Sequence, residues 1–271
     1  MSVYLALFKI SFQQHLQYRV AAIAGAATNI AFGFFRIFLL TAFYNGSDAP
    51  QPMNLPDLYS YLWFGQVVFS VMPIVNLTGP DAEEIRSGAV AYRLIRPISI
   101  YKFYLARVLG QKVTAICTRS LIQVGVLLIL LPALGLSKYG MRAPDAAMLP
   151  FLLLSLFLAV ILSATIHTCI YMTGFWTIST RGSASFSYAI LALLSGLLVP
   201  LVFFLPSLKG IVDLLPFRGI YDTPAMIYNG ALSIGRVLSS IAHQGVWVVI
   251  MIFLGAALAR RGTGRLEVAG G

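Results

Sequence analysis

Six long apolar segments dominate the sequence and decide what it can fold into. They span residues 20–44, 58–77, 103–136, 148–178, 183–205 and 237–259. A helix needs about 20 apolar residues to cross the hydrocarbon core of a bilayer. Each segment reaches that length, and turn-forming residues such as Asn45-Gly46 and Gly79-Pro80 separate them. The sequence therefore predicts an all-α polytopic membrane protein with six transmembrane helices, in a single domain over residues 1–271.

Charged residues are too few to cover a water-soluble protein. Hydrophobic residues make up 59% of the chain and charged residues 10%, with a mean hydropathy of +0.85. Ordinary soluble domains contain about 25% charged residues, so a water-soluble globular enzyme is excluded. Both cysteines, Cys117 and Cys169, lie inside apolar segments. We therefore expect neither a disulfide framework nor a thiolate metal site.

Residues 2–19 precede the first apolar segment and have an amphipathic pattern. Leu5, Phe8, Phe12 and Leu16 fall on one helical arc, and Lys9 with two glutamines falls on another. The pattern predicts an amphipathic helix in the membrane interface. The alternative is that these residues simply extend the first span. No cleavable signal is expected here, because no small-residue cleavage site follows a short apolar core.

The distribution of basic residues predicts the orientation. With the N-terminus in the cytoplasm, the inner segments hold Lys9, Arg19, Arg86, Arg93, Arg96, Lys102, Arg107, Arg181, Arg260, Arg261 and Arg265. The outer segments hold only Lys138, Arg142, Lys209, Arg218 and Arg236. Basic residues concentrate on the cytoplasmic side of membrane proteins. Six spans then place both termini in the cytoplasm.

Several kinds of chemistry are missing from the sequence. None of the nine carboxylates lies in the middle of a predicted span, whereas ion-driven carriers use ionisable groups near the midplane. The histidines His15, His167 and His243 are isolated from one another, and we expect His167 to be a hydrogen-bonded packing residue. No P-loop motif occurs either. A pump built on this chain must therefore receive its energy from a partner.

A few polar side chains lie inside predicted spans. Arg36 is near the middle of the first span, and Asn29 is seven residues earlier on nearly the same helix face. An arginine in a span needs a carbonyl, water or an ionic partner. It either faces a translocation path or subunit interface, or snorkels to the outer headgroups. Lys112 and Arg119 share a face of the third span, and we expect both near the inner interface.

Residues 79–102 form a loop between the second and third segments, named here the charged loop. Asp81, Glu83 and Glu84 come first, a position that favours a helix N-terminus, and Gly88 permits a turn. The pattern predicts one or two short helices flat on the membrane surface. Composition alone equally fits an interfacial loop whose cations meet lipid headgroups.

Near the other end of the chain, residues 206–236 are predicted to form short re-entrant or surface helices at the outer side.

The order of residues in the charged loop and just after it is more specific than the composition of the loop. It reads Ile85-Arg86-Ser87-Gly88, then Ala91-Tyr92-Arg93-Leu94-Ile95-Arg96-Pro97, followed by Tyr104-Leu105-Ala106-Arg107. This series closely resembles the signature loop of bacterial type-2 ABC export permeases, and most closely their viologen-exporter-type branch. Shorter matches such as Leu215-Pro216-Phe217-Arg218 extend the resemblance over essentially the whole chain.

The resemblance implies a permease subunit of an ATP-driven exporter in the bacterial inner membrane. It implies an N-terminal interface helix and a cytoplasmic coupling helix between the second and third spans. Two such permeases, identical or paralogous, would stand on two ATPase subunits that bind ATP and Mg²⁺. The residues it places at the ATPase contact are Glu83, Glu84, Ile85, Arg86, Ser87, Gly88, Tyr92, Arg93, Arg96 and Pro97.

Three other functional classes make different demands on the sequence. A membrane-embedded enzyme acting on lipid would need an acid/base or metal cluster that the sequence does not show. A secondary carrier would need midplane carboxylates. A non-transporting assembly or immunity subunit with a permease fold would share the ATPase contact and would differ only in transport. The substrate is not indicated by the sequence.

Overall fold

The computed structural model describes residues 3–46, 50–72, 80–95, 97–176 and 180–265. Most of these residues are helical and none of them lies in a strand, which confirms the all-α fold class. In chain order the helices are α1 Val3–Leu16, α2 Arg19–Asn45, α3 Leu55–Val68, α4 Pro80–Arg86, α5 Ala91–Leu94, α6 Ile100–Ala133, α7 Ala146–Thr173, α8 Thr180–Leu194, α9 Pro206–Leu214, α10 Asp222–Tyr228 and α11 Ile234–Thr263.

Four of these helices are long and apolar enough to cross a membrane. They are α2, α6, α7 and α11, with 27, 34, 28 and 30 residues respectively. Many of their large apolar side chains are exposed, including Phe35 on α2 and Phe253 on α11. Apolar side chains in that position suit lipid or a second membrane subunit rather than water. The chain is therefore a multi-pass membrane protein.

The predicted second and fifth spans form shorter helices than the sequence suggested. α3 ends at Val68 and continues as a single 3₁₀ turn, Phe69–Val71. α8 ends at Leu194, where Gly196 adopts a φ of +87° that favours glycine and turns the chain. Pro200 then prevents the helix from resuming its backbone hydrogen bonds.

α3 lies in the interior of the helix bundle. Ten of its 14 residues are buried, and the indole Nε1 of Trp63 donates to the carbonyl oxygen of Tyr139 at 2.5 Å. Gly33 of α2 faces this ring, and a Cβ there would lie 2.2 Å from the Trp63 Cζ3 atom. The close approach of α2 to α3 therefore requires glycine at this position.

α1 is a separate helix that packs along α6. The helix is interrupted after Leu16 and the next helix begins at Arg19, so α1 and α2 are two separate helices. Ser11 Oγ donates to the Arg107 carbonyl oxygen at 2.7 Å, and Thr114 Oγ1 donates to the Phe12 carbonyl oxygen at 3.0 Å. These bonds fix α1 against the first four turns of α6.

Candidate functional site

The charged loop folds into two short helices with a tight turn between them. α4 begins with acidic residues, Asp81 and Glu83, which stabilise the positive end of its helix dipole. Gly88 has a φ of +76°, a conformation that favours glycine, and no neighbouring atom lies within contact of an added Cβ. The Val90 amide donates to the Glu84 carbonyl oxygen at 3.1 Å. The turn thus sends α5 back towards α4.

Glu84 joins three helices. Its carboxylate accepts hydrogen bonds from Arg93 Nε at 2.5 Å and Arg93 Nη2 at 2.9 Å, and from the Tyr104 hydroxyl at 3.2 Å. Two parallel bonds between a guanidinium and a carboxylate are stronger and more directional than a single contact. Both partners are partly buried, with 29% of the Arg93 side chain and 19% of the Glu84 side chain exposed. Glu84 therefore ties α4 and α5 to the start of α6.

A second ion pair lies beside the first. Arg107 of α6 contacts Asp81 of α4, with Nε–Oδ2 and Nη2–Oδ1 distances of 3.0 and 2.9 Å. The guanidinium of Arg93 lies 3.9 Å from the Phe103 ring centroid, and that of Arg107 lies 5.7 Å from it. Cations over an aromatic face gain further electrostatic attraction. The two ion pairs and the ring form one polar clamp between the charged loop and α6.

Two apolar side chains complete the attachment of the charged loop. Ile85 is 2% exposed and Val90 is fully buried, and both belong to a hydrophobic cluster with side chains of α6, α7 and α11. Burying a large aliphatic side chain contributes about 1.5–3 kcal/mol relative to leaving it exposed. The loop is therefore packed on the long helices as a firm structural unit.

The end of α5 presents apolar side chains to the outside. Tyr92 is 78% exposed, Ile95 is 82% exposed and Leu94 is 45% exposed. We call these three residues the apolar tip. Tyr92 and Leu94 are the chain neighbours of Arg93, so the apolar tip and the clamp meet on the same short helix.

The structure brings together part of the predicted contact set. Glu84, Ile85, Gly88 and Arg93 lie in or next to the clamp. Glu83, Ser87, Tyr92 and Pro97 lie exposed on the surface of the loop. The Arg86 side chain and Arg96 lie outside the described residues.

Three clamp residues were not assigned by the sequence: Asp81, Phe103 and Arg107. Their spacing was a usable signal, because residues three or four apart share a helix face. Asp81 stands three residues before Glu84, and Phe103 stands four before Arg107.

Arg36 finds its acceptors on another part of the chain. Its Nη2 donates to the carbonyl oxygens of Leu197 and Leu198, at 2.5 and 3.1 Å. These carbonyl groups lie just after the end of α8, where no backbone N–H of a following helical turn is available to bond to them. Asn29 is 7% exposed, and its Nδ2 has no hydrogen-bond partner among the described residues. A role for Arg36 and Asn29 in a translocation path stays a prediction.

Two short helices, α9 and α10, lie between α8 and α11, and a buried carboxyl group of α10 bonds to α3. The Tyr61 hydroxyl donates to Asp222 Oδ1 at 2.8 Å, and the Tyr221 hydroxyl donates to the Tyr61 carbonyl oxygen. Asp222 is 7% exposed. Burial raises the pKa of Asp222 from 3.8 to about 6, although the hydrogen bond from Tyr61 partly opposes the shift.

Acidification is expected to stabilise the protein through Asp222. Because the pKa of this carboxyl is higher in the folded state, the folded chain binds more protons between 3.8 and about 6. The free energy of unfolding should therefore rise as pH falls through that window, by up to about 1.4 kcal/mol per pH unit. Thermal unfolding in an uncharged detergent measures this. Asp222→Asn should lose this part of the pH dependence, and an unchanged slope in that variant would contradict the assignment.

Comparison with known proteins places the chain among membrane transport proteins. The family model described as "ABC-2 family transporter protein" matches residues 30–270. The matched region contains the charged loop, the clamp and the greater part of every helix of membrane-spanning length. No curated protein and no solved structure matches the chain.

Proposed function

Since the match covers most of its length, the chain belongs to the ABC-2 family of transporter proteins, and we propose that it is the permease subunit of an ATP-driven exporter. The family is a membrane transport component rather than an enzyme in its own right. In the proposed complex, two permeases, identical or paralogous, form the path across the bacterial inner membrane. Two separate ATPase subunits bind ATP and Mg²⁺ on the cytoplasmic face.

The proposed topology has six spans and both termini in the cytoplasm. α2, α6, α7 and α11 supply four spans, and the regions of α3 and α8 supply the other two. Because α3 is enclosed by other helices, the chain can continue across the membrane beyond Val68 without being α-helical throughout. α1 is proposed to lie in the inner membrane interface, and its hydrogen bonds to α6 would hold it at a fixed depth in the bilayer.

The observation that carries the proposal is the clamp with its apolar tip. An ATPase that docks on Tyr92, Leu94 and Ile95 gains an apolar contact of the kind found at the centres of protein interfaces. Movement of the docked subunit would reach α6 through the paired Glu84 and Arg93. The charged loop is thus proposed to act as the coupling helix, converting ATPase closure into a shift of the third span.

The first test is co-purification from native membranes. The affinity-tagged chain should bring down a subunit with a P-loop, and the complex should hydrolyse ATP. Purification of the chain without any nucleotide-binding subunit, under conditions that preserve membrane complexes, would contradict the proposal. ATP-dependent transport in reconstituted vesicles then separates an exporter from a non-transporting assembly subunit.

A further inference from the structure

A cavity lined in part by basic side chains lies next to α6, away from the clamp. Its volume is about 470 Å³, and it lies between α1, α2, the turn after α3, α6 and α7. Four basic side chains line it: His15, Lys112, Arg119 and His167. No acidic residue is among the lining residues that the structure describes. A cavity of this size accommodates a small ligand or a headgroup.

Arg119 has no ionic partner in the described part of the chain. Its Nε is buried and makes no hydrogen bond there. A guanidinium remains charged at any physiological pH, and an unpaired charge within a membrane protein is costly. The side chain has room because α2 carries glycine at position 25, where a Cβ would lie 2.7 Å from the Arg119 Cζ atom.

The backbone around Arg119 is irregular. Within α6, residues Ile116–Ser120 form a π-helical turn instead of an α-helical one. Such turns insert an extra residue into the helix and occur frequently at functional sites. The turn and the unpaired guanidinium therefore coincide at the wall of the cavity.

His167 contributes a second unpartnered group. It is 2% exposed, and neither ring nitrogen has a hydrogen-bond partner among the described residues. The expectation that His167 is a hydrogen-bonded packing residue is therefore wrong in its hydrogen bonding, although the ring does pack edge-on against Tyr171 at 4.6 Å. A buried polar group without a hydrogen-bond partner destabilises the folded chain. A ligand in the cavity would remove that cost.

Lys112 differs from the other two because its acceptors are already present. Its Nζ donates to the carbonyl oxygens of Val71 and Met72, at 2.9 and 3.1 Å. Lys112 therefore serves to hold the turn after α3 against α6, and Arg119 and His167 remain available.

We propose that this cavity binds an anionic group of the phosphate or carboxylate type, with Arg119 and His167 as its ligands. Among the described residues, Thr114 is the last of α6 that bonds to α1. Arg119 lies five residues further on, which is about 7.5 Å along the helix. If α1 lies in the interface, the cavity lies at headgroup depth. The bound species is then an amphiphile with an anionic head. The inference that such an amphiphile is the transported substrate rests on the proposed function. The inference that the cavity binds an anion does not depend on it.

The test is ligand binding by the full-length chain in an uncharged maltoside detergent. Dodecyl phosphate is the probe, dodecyltrimethylammonium is the cationic control of equal chain length, and inorganic phosphate tests the headgroup alone. Isothermal titration should show binding of dodecyl phosphate and not of the cation. Tighter binding of dodecyl phosphate than of inorganic phosphate would identify an amphiphile, and equal binding would identify a free anion. Binding of both amphiphiles with similar affinity would overturn the proposal.

Variants assign the binding to the cavity. Arg119→Gln is expected to weaken dodecyl phosphate binding at least tenfold, and Arg119→Lys, which keeps the charge, should retain most of it. Arg260→Gln removes an exposed cation near the end of α11 and should leave the affinity unchanged. Equal affinity in Arg119→Gln and the wild type would overturn the site. Because no ATPase is needed, this outcome is independent of whether the chain co-purifies with one.

Discussion

Replacing Glu84 by lysine is expected to uncouple the permease from its ATPase while leaving the two subunits bound. The substitution removes two hydrogen bonds from Arg93 and one from Tyr104, and it places two cations in contact. Each hydrogen bond to a charged group contributes about 1.5–3 kcal/mol. The link from α4 and α5 to the start of α6 through Glu84 would then be lost, although the buried Ile85 and Val90 would keep the loop packed on the long helices. Stimulation of ATP hydrolysis by the permease should therefore fall at least tenfold. ATPase activity of the complex, compared with that of the ATPase alone, measures the effect.

A charge exchange provides the matched control. The double variant Glu84→Lys, Arg93→Glu restores the opposite charges in reversed order and should recover a substantial part of the stimulation. Partial recovery is expected because the reversed carboxylate no longer meets the Tyr104 hydroxyl in the same geometry. Normal stimulation in Glu84→Lys would show that the clamp does not transmit force. An equal loss in the single and double variants would show that charge pairing is not what matters.

Charging the apolar tip is expected to prevent the ATPase from binding to the permease, whereas Glu84→Lys should leave the two subunits bound. Tyr92→Asp combined with Ile95→Asp places two carboxylates on side chains that are 78% and 82% exposed. Because both side chains are exposed, the fold of the permease should be unaffected. Truncating an aromatic anchor at an interface centre typically costs 2 kcal/mol or more, so recovery of the ATPase in co-purification should fall at least tenfold.

The control for the tip is an equally exposed leucine elsewhere. Leu214 at the end of α9 is 73% exposed, and Leu214→Asp should leave ATPase recovery unchanged. Full recovery of the ATPase with the doubly charged tip would exclude the tip as the docking surface. The two experiments together separate docking on Tyr92 and Ile95 from transmission through Glu84.

The apolar helices and the charged loop were predictable because both depend on local sequence. Helical length follows from runs of apolar residues, and four of these runs form helices of membrane-spanning length. The turn at Gly88 was predictable for the same reason, since a glycine in a positive-φ turn acts locally.

Tertiary contacts were the part that the sequence did not reveal. An apolar run does not indicate whether it faces lipid or protein, so the burial of α3 around Trp63 was not foreseen. The acceptors of Arg36 stand about 160 residues further along the chain. The partnership of Glu84 with Arg93 requires the hairpin between α4 and α5, and the cavity beside Arg119 requires five separate segments to converge. Pairwise contacts of this kind depend on the complete fold.

Site-directed crosslinking tests the central claim most directly. The chain has two cysteines, Cys117 and Cys169, which can be replaced by serine and alanine to give a cysteine-free background. Tyr92→Cys in that background should crosslink to the ATPase subunit through a short bifunctional reagent, and Leu214→Cys should not. The account predicts an ATPase adduct at position 92 whose yield changes when ATP binds. An ATPase adduct at position 214 and none at position 92 would contradict it.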